Sequence, residues 1–313
     1  MRAAPRIAGI LLILLGTQAH SQEPSDTPTI TMDVNRVVLY ATVREGKARF
    51  VGDLEQQNFT ILEDGVPQKI LSFSRDDLPV AIGLLVDNSQ SMMNKRGEVV
   101  AAAKAFIRAS NPGDQIFVVH FSDTIRFALP SDVPFTGDQK LLDAALDTME
   151  LEGKTSLYDA IHEGLKHLST SRLTKKALIV ISDGGDNLSK HKSSDVVKEA
   201  DLSGALFYAI GIYDPMDGDA DPGVLKRLAQ ATGGESYFPN SIQEVKGLCE
   251  TVARDLRSQY MISYAGGAGQ TNSNFHKIQI KVKDPHHRKL IVRARTGYFT
   301  PPATSEPAQV QKH

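Results

Sequence analysis

Apolar residues along this chain fall into two kinds of pattern. Between residues 78 and 258, near-continuous aliphatic runs alternate with segments whose apolar positions recur three and four apart. The runs at 79–86, 115–121, 176–182 and 206–212 predict buried strands, because a parallel strand covered on both faces has no solvent side for polar residues to mark. The segments at 98–110, 138–149, 157–168, 194–202, 223–231 and 242–257 predict helices. In the first of these, Val99, Ala102, Ala103, Phe106 and Ile107 share one face. Residues 124–129 predict an antiparallel edge beside 115–121, and residues 235–238 a last short strand. Strands alternating with helices imply an α/β domain: a doubly wound, mostly parallel, Rossmann-like sheet covered on both faces.

The flanks read differently. In 29–77 the apolar positions alternate at Val37, Leu39, Ala41 and Val43, and again at Phe59 and Ile61. Asp64-Gly65 is a strong hairpin signal, after which a strand resumes over 68–73. Residues 259–300 hold further extended runs at 259–264, 276–283 and 289–295, with Gly297-Tyr298-Phe299 closing the segment. Each flank is too small to bury a core alone. The expectation is that they pair into one small all-β sandwich, with the α/β domain at 78–258 inserted between its halves.

The ends carry no fold signal. Residues 1–6 are short and basic, an apolar run follows, and Ala19 and Ser21 supply small residues, so 1–21 is expected to be a cleaved signal peptide. Its apolar run is too short for an ordinary membrane span, and no other stretch predicts one. Residues 22–28 are a polar lead-in and 301–313 a proline-containing tail.

Composition narrows the function classes. A net charge of -2 over 313 residues argues against nucleic-acid binding, which usually needs a basic excess. The single cysteine, Cys249, cannot form an internal disulfide. Its helical spacing with Val245, Val252 and Leu256 predicts a core position.

The candidate chemistry sits where the first aliphatic run ends, in Asp87-Asn88-Ser89-Gln90-Ser91. One carboxylate and two alternate hydroxyls are hard oxygen donors, suited to Mg²⁺, Mn²⁺ or Ca²⁺. Three oxygens do not complete such a site. Two later stretches can supply more: Gly153-Lys154-Thr155-Ser156, which enters a helix, and Ser182-Asp183-Gly184, which ends another strand. The doubly wound topology places strand ends of this kind together at the carboxyl rim, where strand order reverses.

The order Asp-x-Ser-x-Ser, Thr, Ser-Asp-Gly resembles the von Willebrand factor type A family. The resemblance implies a metal-ion-dependent adhesion site made by Asp87, Ser89, Ser91, Thr155 and Asp183. It further implies that the three hydroxyls bind Mg²⁺ directly (Mn²⁺ or Ca²⁺ in its place), and that one or both acids act through water. A Glu or Asp carboxylate of a partner protein would then take the open position. Asn58-Phe59-Thr60, Glu63-Asp64-Gly65 and Arg295-Thr296-Gly297-Tyr298-Phe299 resemble the flanks of the type A-related proteins of acidobacteria, which implies an exported, secreted or periplasmic, bacterial protein.

Other motifs read as ordinary structure. The acid-rich 214–221 lacks the later spacing of an EF-hand and reads as a solvated loop. Asp186 and Asn187 read as loop-shaping residues. His276, His286 and His287 read as surface histidines. The functional expectation is a non-enzymatic binding protein. The alternatives are a metal-dependent hydrolase, disfavoured because the motif loops contain no histidine base, and a module whose metal only stabilises the fold.

Overall fold

The computed structural model describes residues 36–46, 49–148, 153–212, 221–267 and 274–300. The expected signal segment, lead-in and tail lie outside the described residues, as does the acid-rich loop apart from Asp221.

The chain begins in β structure. β1 (Arg36–Glu45) is followed by the short β2 (Arg49–Phe50), then β3 (Phe59–Glu63) and β4 (Val66–Gln68). The β3–β4 hairpin turns on Asp64 and Gly65, at φ of 51° and 83°. Two successive positive φ values match the twist of the flanking strands, and an Asp-Gly pair adopts them at low cost. β5 (Ile70–Ser74) follows directly. The single strand expected over 68–73 is therefore two. β4 stays with β3, whereas β5 crosses to a different sheet and pairs with a strand from the far end of the chain. The crossing puts the Phe73 ring 5.2 Å from Phe59 and 5.5 Å from Tyr260, an aromatic contact a continuous hairpin strand would forgo.

The central domain then runs as β6 (Val80–Asp87), α1 (Arg96–Ala109), β7 (Gln115–Phe121), β8 (Ile125–Phe127), α2 (Gln139–Asp147), α3 (Leu157–Ser169) and β9 (Lys175–Ser182). It continues as α4 (Ser193–Ser203), β10 (Leu206–Gly211), α5 (Pro222–Thr232), β11 (Ser236–Tyr237) and α6 (Val245–Arg257). The strand order is β11-β10-β9-β6-β7-β8, parallel throughout except for the edge strand β8. Every residue of β6 is buried, as its unbroken apolar run requires. From β6 the chain winds first to β7 on one side and later to β9 on the other. The order reverses between β6 and β9, whose carboxyl ends carry Asp87 and Asp183.

The last strands are β12 (Tyr260–Ala265), β13 (Phe275–Val282), β14 (Leu290–Arg293) and β15 (Gly297–Phe299). They pair with the first ones. One antiparallel sheet runs β14-β1-β12-β5 with β2 beside β1, and the other runs β15-β13-β3-β4. Each sheet thus draws strands from both flanks. A single apolar cluster joins residues of both, including Leu39, Ile61, Tyr260, Tyr264 and Ile278.

An ionic network ties these strands to the α/β domain. Asp255 on α6 is fully buried. It accepts from the Thr42 hydroxyl at 2.6 Å and the Tyr208 hydroxyl at 3.1 Å, and pairs with Arg293 on β14. Arg44 on β1 makes a two-pronged contact with Glu235 at 2.6 and 2.7 Å. Burial opposes the charge on the Arg293 guanidinium, but the tyrosines and acids around it prevail and its pKa is raised. In the same last turn of α6, Arg257 pairs with Asp114, which also caps the start of β6 by accepting from the Val80 amide at 2.9 Å.

Removing one member of a fully buried pair strands the other charge, at a cost of about 3 kcal/mol or more. Asp255→Ala should therefore lower the urea-unfolding free energy by about that amount. A loss below about 1 kcal/mol, typical of an exposed pair, would show that the junction is solvated.

Candidate metal centre

Three loops meet beyond the carboxyl ends of β6 and β9. The first leaves β6 at Asp87 and passes through a short 3-10 helix, Gln90–Lys95, into α1. The second enters α3 at Thr155. The third leaves β9 at Asp183. Backbone hydrogen bonds weld them together. The Gln90 amide donates to the Gly153 carbonyl at 3.2 Å, and the Asn187 and Leu188 amides both donate to the Thr155 carbonyl at 3.1 and 3.2 Å.

Side chains of the third loop also cap α3, whose first amides have no partner within their own helix. Asp186 accepts from the Tyr158 amide at 3.2 Å and Ser189 from the Asp159 amide at 3.1 Å. Asn187 accepts from the Thr155 amide at 3.0 Å. Asp186 and Asn187 thus shape the loop, as the sequence suggested. Gly153 sits at φ 52°, and a side chain there would collide with the Asp123 carboxylate. That carboxylate accepts from the Lys154 amide and fixes the approach to Thr155.

Four of the five motif residues, Ser89, Ser91, Thr155 and Asp183, line one cavity of about 160 Å³, with Lys154 and Asn187 beside them. The fifth, Asp87, lies beneath the cavity, 1% exposed. One Asp87 oxygen accepts from the Ser89 amide at 2.9 Å, and the other from the Ser182 hydroxyl at 2.5 Å. Ser89 and Ser91 share a hydroxyl contact of 3.0 Å, and the Ser91 hydroxyl donates to Asp183. The second Asp183 oxygen accepts from the Gly185 amide at 3.0 Å. Burial, and then the nearby Asp183 charge, push the Asp87 carboxyl up to about 7. Hydrogen bonds from Ser182 and Ser89 only partly offset this.

The arrangement is crowded with oxygen and short of positive charge, which is the environment a hard divalent cation relieves. The cavity is also well below the roughly 300 Å³ at which small-molecule pockets begin. It has room for an ion and a few waters, each water taking about 30 Å³. The donor set fits Mg²⁺, Mn²⁺ or Ca²⁺. No histidine lines this cavity.

The sequence reading did not single out Ser182, whose hydroxyl bridges the two strand ends, or Asp123, which orders the Thr155 loop. Ser182 stands next to Asp183, and in a parallel pair the residue preceding one strand-end acid faces its neighbour, so register could have found it. Asp123 had no such signal. One expectation fails elsewhere in the molecule: His276 is not a surface residue. It is buried, with its Nδ1 2.9 Å from Asp64, because it shares the inward face of β13 with Ile278.

Comparison with known proteins follows the same geometry. Residues 81–251, more than half of the chain, match the von Willebrand factor type A domain. The chain belongs to the von Willebrand factor type A family. No curated protein matches it. Among solved structures, a von Willebrand factor type A protein from Catenulispora acidiphila is similar at 12% identity and a TM-score of 0.52, over 83% of this chain and 73% of that one. That span reaches past the matched type A domain into the flanks. The vWF domain of the type V pili tip protein Mfa5 from Porphyromonas gingivalis is similar at 13% identity and a TM-score of 0.47, over 57% of this chain and 95% of that one. The conserved hypothetical protein BatB from Bacteroides thetaiotaomicron is similar at 16% identity and a TM-score of 0.47, over 57% of this chain and all of that one. At these identities the likeness is one of fold.

Calorimetric titration of Mg²⁺ into the chelator-stripped protein should show one site. Asp87→Ala should abolish it. Ser182→Ala, which removes only a supporting hydroxyl, should weaken it by about tenfold or more. Equal affinity in all three proteins would refute the assignment.

Proposed function

We propose that this type A protein is an exported, secreted or periplasmic, binding protein. It engages a partner protein through a divalent cation, Mg²⁺ in the first instance, with Mn²⁺ and Ca²⁺ as competent substitutes. The observation that carries this reading is the convergence of Ser89, Ser91, Thr155 and Asp183 on one small cavity above the buried Asp87. The three hydroxyls are neutral donors, so they leave much of the ion's charge uncancelled. Asp87 and Asp183 are already engaged by amides and hydroxyls and act as charge partners and water anchors. An ion held this way supplies an electrophilic position that a partner's Glu or Asp carboxylate can occupy.

The surroundings suit a protein partner. Lys154 lines the cavity and adds a positive charge that favours an incoming acid. Met93 and Leu188, carried by two of the three site loops, are 50% and 44% exposed and offer apolar contact beside the ion. Both acids of the site are already engaged by hydroxyls and amides, which favours binding over hydrolysis. Among the described residues no helix is long and apolar enough to cross a membrane; the export reading rests on the signal segment expected at 1–21. The two antiparallel sheets are read as facing leaves of a small sandwich that frames the type A domain and holds its rim outward.

The test is retention of partners from the extracytoplasmic fraction on the immobilised protein. The reading predicts capture in Mg²⁺, release by chelator, rebinding in Mn²⁺ and no capture by Asp87→Ala. Capture that survives chelation, with only the melting temperature falling, would instead assign the ion a purely structural role. Mg²⁺-dependent turnover of phosphate or ester substrates would replace the binding reading with a hydrolytic one.

A further inference from the structure

A second cluster of ligand-type side chains lies far from the type A motif, in the β structure built by the two flanks. Glu63 ends β3, Asp64 opens the hairpin turn and His276 lies on β13. Their donor atoms lie within 4.8 Å of one another. The His276 Nδ1 is 2.9 Å from an Asp64 oxygen and 3.7 Å from a Glu63 oxygen. A tetrahedral ion with bonds of about 2.0–2.1 Å sets its ligands roughly 3.3 Å apart, so the two pairs that involve His276 already bracket the spacing such an ion needs.

The remaining oxygens of the acids are already held, which leaves these atoms oriented toward one another. Asp64 accepts from the Lys277 amide at 2.8 Å through its other oxygen. Glu63 accepts from the Tyr298 hydroxyl at 3.2 Å through its other oxygen, and from the Gly267 amide at 2.9 Å. Supporting contacts of this kind are what a metal ligand set requires.

Charge and hydrogen-bond accounting both leave a gap here. Glu63 is fully buried and His276 nearly so. Glu63 shares the one imidazole with Asp64, and burying a carboxylate is costly unless it is paired. Independently, the Tyr264 hydroxyl is buried against Glu63, close to it but outside ordinary hydrogen-bonding geometry. A buried donor left unmade beside a carboxylate marks a site whose polar groups are not yet fully employed.

We propose that Glu63, Asp64 and His276 form a second metal site, distinct in place and chemistry from the Ser89–Thr155–Asp183 cavity, that takes a first-row transition ion such as Zn²⁺. The imidazole makes the choice: nitrogen with carboxylates suits Zn²⁺, whereas Mg²⁺ favours oxygen and keeps several waters. The ion would join the hairpin of the first flank to a strand of the second, across 212 positions of sequence. It would clasp the two halves of the β structure around the inserted domain.

The experiment uses the full-length protein, stripped by chelator and then saturated with Mg²⁺ to occupy the first site. Zn²⁺ is titrated calorimetrically and the melting temperature is followed. One Zn²⁺ per chain should bind and raise the melting temperature. Asp64→Asn keeps the oxygen that accepts the Lys277 amide and tolerates the positive φ, so it should fold and yet weaken Zn²⁺ by about tenfold or more. His276→Gln should abolish binding, and Asp87→Ala should leave it intact. Should His276→Gln fail to fold, Asp64→Asn alone decides. No Zn²⁺ uptake by the folded protein would overturn the proposal and leave His276 as a hydrogen-bond partner of Asp64 only. So would equal uptake by Asp64→Asn, or loss confined to Asp87→Ala.

Discussion

Two carboxylates forced together at the end of a parallel sheet are the constraint around which this molecule is built. β6 and β9 are adjacent and parallel, with Val86 opposite Ile181, so each strand delivers its terminal acid to the same rim. The fold gives Asp87 no escape from Asp183, and burial withdraws the water that would otherwise screen them. The neighbouring groups respond to that crowding. The Ser89 and Gly185 amides, and the Ser182 and Ser91 hydroxyls, all turn toward the two acids. Such dipoles reduce the repulsion without removing it, and a divalent cation is the economical remedy that the proposed function supplies.

The loops that hold the hydroxyls are not left to fold independently. Capping of α3 by the loop after β9, and the anchoring of the Thr155 carbonyl by two amides of that same loop, make the three segments one unit. A rim preorganised in this way can bind an ion without a large ordering cost. The flanks extend the same logic to the opposite end. Thr42, Arg44 and Arg293 reach from their strands to Asp255 and Glu235, so the α/β domain is bolted to its frame by desolvated charge as well as by apolar contact. A network of this kind fixes relative orientation even where its net stabilisation is small.

Much of this was legible in the sequence because period and punctuation agreed. Unbroken aliphatic runs gave the parallel strands, and amphipathic spacing gave the helices. Asp64-Gly65 gave its turn, and the reversal of strand order explained how Asp87 and Asp183 come to share a rim. Cys249 proved to be the buried helical residue its spacing suggested. What escaped depended on contacts between distant segments. Residues 68–73 alternate as one strand, and only the need to bring Phe73 against Phe59 and Tyr260 divides them between two sheets. His276 reads as solvent-facing by residue type, yet the period of two puts it on the inward face of β13 with Ile278 and Ile280. Only its placement beside Glu63 and Asp64 depends on the pairing of β13 with β3. Ser182 is hidden for the same reason: its partner Asp87 lies 95 positions away.

The most direct measurement of the central claim is crystallographic. Crystals grown with Mn²⁺ would be imaged in an anomalous difference map, which locates the ion without reference to any assumed ligand. The account predicts a strong peak within bonding distance of the Ser89, Ser91 and Thr155 hydroxyls, above Asp87. A rim without such a peak at saturating Mn²⁺, with the two acids still side by side, would contradict it.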